Sequence, residues 1–102
     1  ESDPSWFGFL LTLKDEAPFA RNEIVEFLED RNIQTRNLFA GNIVRHPAFS
    51  HLQAGKDYRI SDTLENTDKI MTDSFWLGVY PGMRTEALAY VAESIHEFVG
   101  KY

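Results

Sequence analysis

Two arginines near one irregular loop are the side chains best placed to do binding chemistry. Thr35-Arg36-Asn37-Leu38-Phe39-Ala40-Gly41-Asn42, followed by Arg45, sets two guanidinium groups beside aromatic and amide side chains. A guanidinium offers planar, forked donors that match phosphate oxygens, so this segment suits a nucleotide or sugar-nucleotide. The competing reading is that Arg36 and Arg45 pair with local carboxylates. The histidines offer less. His46 and His51 are separated across Pro47 by a spacing that does not put two ligands on one helical face, and His96 falls on the polar side of a helix. None of this matches a zinc pattern, so no metal site is expected. Glu23, Glu26, Glu29 and Asp30 read as a solvated helix face rather than an acid–base pair. No nucleophile elbow, phosphate-binding glycine loop or dinucleotide fingerprint is present. Tyr80-Pro81-Gly82-Met83 follows a strand but lacks the glycine spacing of a phosphate loop. No catalytic residue is therefore assigned.

Composition bounds the class. The chain has 102 residues, 43% hydrophobic and 14% aromatic, enough for one domain with a real core. A domain of this size buries a modest share of its surface, so a neighbour would stabilise it. The formal charge of −6 repels phosphate backbones and argues against nucleic-acid binding. The absence of cysteine excludes disulfides and thiol chemistry and fits a reducing cytosol, so a cytoplasmic location is expected. No apolar run approaches the roughly 20 residues of a membrane helix, and Trp6–Leu13 is too short and too acidic at its flank for a signal peptide. The chain opens on Glu1 and enters a strand pattern within a few residues. Residues 1–5 are expected to be linker left from a longer protein and 6–102 the domain. A trimmed terminus is the alternative.

These side chains need elements to hold them. Trp6–Leu13 is expected to be a strand, apolar on both faces and hence central, with Gly8 marking a bulge or a close approach. Asn22–Asn32 reads as a helix capped by Asn22, with a stripe of Ile24, Val25, Phe27 and Leu28. Residues 33–38 follow as a short strand after a turn at Arg31-Asn32. Residues 39–57 are irregular, with Pro47 opening a short helix that contains Phe49 and Leu52. Tyr58–Ile60 is an edge strand or coil. A helix capped by Ser61 or Asp62 runs to about Thr72. Phe75–Tyr80 is a strand, and Arg84–Gly100 a helix with a stripe of Leu88, Val91, Ile95, Phe98 and Val99, stopped by Gly100. The resulting fold class is α+β: a two-layer sandwich with a three- to four-stranded, mainly antiparallel sheet and helices on one face. Adjacent residues point to opposite faces of a strand, so one of Trp6/Phe7 and one of Phe75/Trp76 must lie on the face that helices leave uncovered. That demand is the best physical sign of an absent neighbour.

Four blocks occur in one order: Trp6-Phe7-Gly8-Phe9, Thr35–Asn42, Asn66-Thr67-Asp68-Lys69-Ile70-Met71, and Phe75-Trp76-Leu77-Gly78-Val79-Tyr80-Pro81-Gly82. Together they resemble the C-terminal end of sugar aminotransferase-like enzymes of the DegT/DnrJ/EryC1/StrS family, nearest to the CDP-4-keto-6-deoxyglucose 3-dehydrases of lipopolysaccharide O-antigen synthesis. The resemblance implies the small domain of an aspartate-aminotransferase-type fold, closing over a large N-terminal domain that holds pyridoxal or pyridoxamine phosphate. In the dehydrase branch that cofactor removes the 3-hydroxyl of a nucleotide-linked 4-keto sugar. Some members add an iron–sulfur cluster, whose cysteines would lie upstream. The implied partners are the cofactor domain, a nucleotide-sugar and a second subunit of a homodimeric parent; no cofactor is expected on this chain. By resemblance, Phe7 and Arg36 face substrate, as does Lys69, which stands where relatives have arginine. Phe39, Asn42, Arg45 and Trp76 are further candidates. Arg84-Thr85 replaces a Thr-Glu helix start and weakens that cap. The alternatives are the same domain of a true sugar aminotransferase, or a stand-alone module that binds a small ligand or dimerises through its open sheet face.

Overall fold

Two helices and a three-stranded sheet share one apolar seam. The computed structural model describes residues 2–102. Its elements run β1 (Gly8–Thr12), α1 (Arg21–Glu29), β2 (Thr35–Asn37), α2 (Glu65–Asp73), β3 (Ser74–Gly78) and α3 (Thr85–Val99), with single 3₁₀ turns at Ile43–Arg45 and Pro47–Phe49. The sheet order is β1-β3-β2, antiparallel throughout. The short α2 ends directly against β3.

Register decides which residues share a face. Leu11 lies opposite Phe75, Phe9 and Thr35 opposite Leu77, and Leu10 and Arg36 opposite Trp76. Phe75 and Leu77 therefore point one way and Trp76 the other. Phe75 and Leu77 are buried with Ile24 and Leu28 of α1, Ile33, and Phe98 of α3. Ile24 and Leu28 are four apart, one helical turn, which is why α1 meets the sheet through both. Phe98 gathers the rings of Phe19, Phe27 and Tyr102, with centroids 4.9, 5.1 and 5.6 Å away.

Several sequence expectations need correction. The first strand is an edge, not the centre: β3 has partners on both sides, while Phe9 is 59% and Leu10 41% exposed. Trp6 and Phe7 precede the strand and are exposed. Asn22 is not the cap of α1. Ala20 occupies that position without a side-chain acceptor, and Glu23 reaches back to accept from the Ala20 N–H at 2.6 Å, satisfying a donor that the helix cannot. The cap of α2 is Leu64 rather than Ser61 or Asp62, so that helix starts later than its polar leader suggested. Of the two readings left open for Tyr58–Ile60, coil is the one found, with an isolated bridge between Tyr58 and Ala54. On α3, Leu88 and Val99 remain exposed while Ser94 is buried, its hydroxyl donating to the Tyr90 carbonyl at 2.8 Å. The seam is narrower there than the apolar stripe. Gly100 ends α3 in right-handed backbone (φ −69°), so its freedom for left-handed φ goes unused.

The turn from α1 into β2 carries the residue after it. Asn32 adopts φ 60°, a conformation asparagine tolerates. Glu29, read as solvated, is structural: its Oε1 accepts from the Thr35 N–H at 2.6 Å and the Thr35 hydroxyl at 2.8 Å. Those bonds, the backbone one foremost, hold its carboxyl below the ordinary range. They fix the start of β2 and hence Arg36.

The domain leaves much surface uncovered. It exposes 8137 Å², against about 5900 Å² from the usual scaling for a compact monomer of its mass. Its radius of gyration is 17.0 Å, where about 13 Å is typical of compact domains of this length. The sheet face opposite α1 and α3 carries Leu10 and Trp76, as the alternation argument required. Among the described residues, no helix is long and apolar enough to cross a membrane.

Candidate functional site

At one end of the open sheet face lies a cleft of about 220 Å³, lined by Phe7, Gly8, Gln34, Arg36, Phe39, Trp76, Leu77 and Gly78. Three strands build it. β3 supplies Trp76 from the centre, β2 supplies Arg36 directly opposite in register, and the chain entering β1 supplies Phe7. Phe7 stands edge-on to Trp76 with centroids 6.4 Å apart and tilts against Phe39 at 6.0 Å, both ordinary aromatic contacts.

Gly8 makes this packing possible. A Cβ at that position would lie 3.0 Å from Cε3 of Trp76 and 3.1 Å from the Leu77 carbonyl oxygen. The close approach that a strand glycine announces is here the indole itself. The Trp76 Nε1 is buried and, among the described residues, has no hydrogen-bond partner. A buried indole N–H normally finds an acceptor.

Arg36 projects from β2 with Nη1 donating to its neighbour's carbonyl, Thr35 O, at 3.0 Å. It has no carboxylate partner among the described ion pairs. The two arginines thus differ: Arg45 forms a direct ion pair, whereas Arg36 lies near enough to Glu29 to help lower its carboxyl but makes no ion pair with it.

Arg45 belongs to a second cluster. Its Nε and Nη2 donate to Asp68 Oδ1 and Oδ2 at 2.7 and 2.5 Å, and the Asn42 amide donates to Oδ1 at 2.6 Å. Arg45 first and Asn42 second hold the Asp68 carboxyl below its ordinary range. Asn42 is almost wholly buried, and its Oδ1 caps the 3₁₀ turn by accepting from the Val44 N–H. Lys69 sits in neither cluster. It pairs with Asp15, and with Asp73 at 3.1 Å, beside a separate polar cleft of about 580 Å³ that includes Arg21. Its two partners raise its pKa, Asp15 most.

The structure thus brings together Phe7, Arg36, Phe39 and Trp76 and keeps Lys69, Asn42 and Arg45 apart from them. Sequence reasoning missed Gln34 in the cleft and Asp68 against Asn42 and Arg45. It also missed Arg21, whose Nη1 donates to the Met71 carbonyl at 2.9 Å in the last turn of α2, where a cation meets the negative helix end. Asp68 gave no local signal, because its bonds to Arg45 and Asn42 span the long loop that leads into α2.

The aromatic cleft does not fit pyridoxal or pyridoxamine phosphate as a complete site. No lysine lines it, and its one cation is Arg36. No group of His, Cys, Asp and Glu among the described residues is arranged to hold a metal ion.

Comparisons with known proteins agree with one another. A family model described as the DegT/DnrJ/EryC1/StrS aminotransferase family matches residues 1–96. A dTDP-4-dehydro-2,6-dideoxy-D-glucose 3-dehydratase from Saccharopolyspora spinosa is 54% identical over 98% of this chain, covering 21% of the relative. The lipopolysaccharide biosynthesis protein RfbH of Salmonella typhimurium is 49% identical over 98% of the chain, covering 22% of it. The chain therefore spans about a fifth of the length of these relatives. Among solved structures, a GDP-4-keto-6-deoxymannose-3-dehydratase with bound GDP-perosamine superposes with a TM-score of 0.76 at 22% identity, over 89% of this chain and 23% of that one. The E. coli enzyme with bound hydrated PLP gives 0.75 at 22% identity, over 88% and 22%. These structural likenesses show the fold.

Proposed function

Because the chain belongs to the DegT/DnrJ/EryC1/StrS aminotransferase family, we propose that it serves as the C-terminal small domain of a longer, cofactor-dependent nucleotide-sugar 3-dehydratase and does no cofactor chemistry itself. The observation that carries this reading is the cleft on the uncovered sheet face. Aromatic walls and an arginine outside the described ion pairs meet there, on the sheet face opposite α1 and α3. The surface in excess of a compact monomer, about 2200 Å² by the same scaling, exceeds what an interdomain contact usually buries.

In this reading the cleft binds and orients. Phe7 and Trp76 offer ring faces to the apolar side of a sugar, Arg36 meets a phosphate or carbonyl oxygen, and Phe39 closes the outer wall against water. Lys69 stays a weaker candidate, since substrate would have to compete with Asp15 and Asp73. The substrate class is a 4-keto deoxysugar on a nucleoside diphosphate, with the CDP-linked 6-deoxyglucose derivative our specific proposal and the dTDP-linked sugar of the Saccharopolyspora relative beside it. The relatives named as 3-dehydratases favour dehydration over amino transfer. The enzyme would work as a homodimer in the cytoplasm.

The division of labour is directly testable. Titrating the chain with pyridoxamine phosphate while following tryptophan fluorescence should reveal no micromolar site. Saturation at micromolar cofactor would place the cofactor chemistry on this chain and overturn the proposal.

A further inference from the structure

Asp68 is not part of the aromatic cleft, yet it holds the loop from which one wall of the cleft descends. Phe39 lies between β2 and the 3₁₀ turn Ile43–Arg45. Two positively charged or amide groups at the far end of that loop converge on the Asp68 carboxylate: Asn42 on one oxygen and Arg45 on both. Three residues on, and so on the same side of α2, Met71 Sδ accepts from the Asn42 N–H at 3.3 Å. The backbone at Gly41 presses so close that a Cβ there would lie 2.6 Å from Met71 Cγ, and Gly41 holds φ 56°, which favours glycine. α2 is itself fixed to α1 by the bond from Arg21 to the Met71 carbonyl. A continuous set of bonds thus runs from α1 through α2 to the loop that carries Phe39.

We infer that Asp68 is a positioning residue for the cleft, a latch that holds Phe39 against Phe7 and so shapes the pocket around Trp76. A bidentate arginine pair fixes direction as well as distance, which a single bond to a loop would not. Besides Asp68, residues 38–42 are touched by Met71, by the His46 ring at the Ala40 carbonyl and by Phe7. Only the Asp68 contacts are charged and bidentate, so releasing them loosens the wall without dismantling the core, which contains neither Asp68 nor Phe39. That this wall faces a nucleotide-sugar rests on the function proposed above. The latch itself does not, and its test needs no ligand, so failure of one is distinct from failure of the other.

In a Trp6→Phe background, Trp76 is the sole tryptophan. Acrylamide quenching of its fluorescence should rise about twofold in Asp68→Ala and in Phe39→Ala, as expected when a local segment opens. The double variant should quench no more than Phe39→Ala alone, with far-UV circular dichroism unchanged. Arg45→Ala breaks the same latch from the exposed loop and decides the matter if Asp68→Ala does not fold. Unchanged quenching in the folded variants would overturn the inference. So would an Asp68→Ala effect of the same size in the absence of Phe39.

Discussion

Gly8 shapes the cleft by a missing methyl group, and its neighbour Trp76 depends on that. With Cε3 at 3.0 Å from where a Cβ would stand, Gly8→Ala must move the indole or the strand. Overpacking of this kind costs about 1–3 kcal/mol, which urea denaturation would read, together with a shifted Trp76 emission in the Trp6→Phe background. An alanine tolerated without change in either would mean that the indole does not rest on the strand. Gly8 was legible from sequence as a close approach, and Phe7, Arg36 and Trp76 as candidates. What sequence did not reveal was partner choice. Arg36 and Arg45 have the same chemistry and similar surroundings along the chain, and only the fold brings Asp68 to Arg45 while Arg36 bonds the Thr35 carbonyl near Glu29.

At the scale of elements, helix and strand types follow from periodicity, while their ends follow from contacts that periodicity does not contain. α1 begins at Arg21 because Glu23 satisfies the Ala20 N–H, and β1 becomes an edge because nothing pairs beyond it. The same logic makes Glu29 a joint between α1 and β2. Its carboxyl is held below the ordinary value of 4.5, so the ionised form is the one that folding favours. The stabilisation is complete above that ordinary value and is lost as pH falls through the lowered folded value. Glu29→Gln should therefore narrow the gap in urea midpoint between pH 7 and about pH 3 relative to the parent chain. An identical gap in both proteins would mean that the Thr35 bonds do not persist in solution. Within the core, Leu28 is fully buried between α1 and the sheet, and Leu28→Ala should cost about 2–5 kcal/mol by loss of burial plus a cavity. A loss below about 1 kcal/mol would show that this seam is not the chain's principal core.

On the scale of the whole molecule, two layers were readable because the elements alternate in a simple way, and the open face was readable because Trp76 must point away from Phe75. The excursion of residues 38–64 was readable as irregular, with Pro47 opening a short helical turn, but its path was not, since that comes from capping turns and from Asp68 rather than from a repeating apolar pattern. A surface of this size with a cleft on its open face is what the proposed role, shaping substrate for chemistry performed elsewhere, requires. Steady-state kinetics of the proposed complete dehydratase with its nucleotide-linked 4-keto sugar test this most directly. Arg36→Ala should raise KM about tenfold, the loss of one charge-assisted contact, with kcat little changed, while Arg59→Ala on the exposed excursion changes neither. If Arg36→Ala and Arg59→Ala both leave KM and kcat at the parent values, the cleft does not face the substrate and the account is wrong.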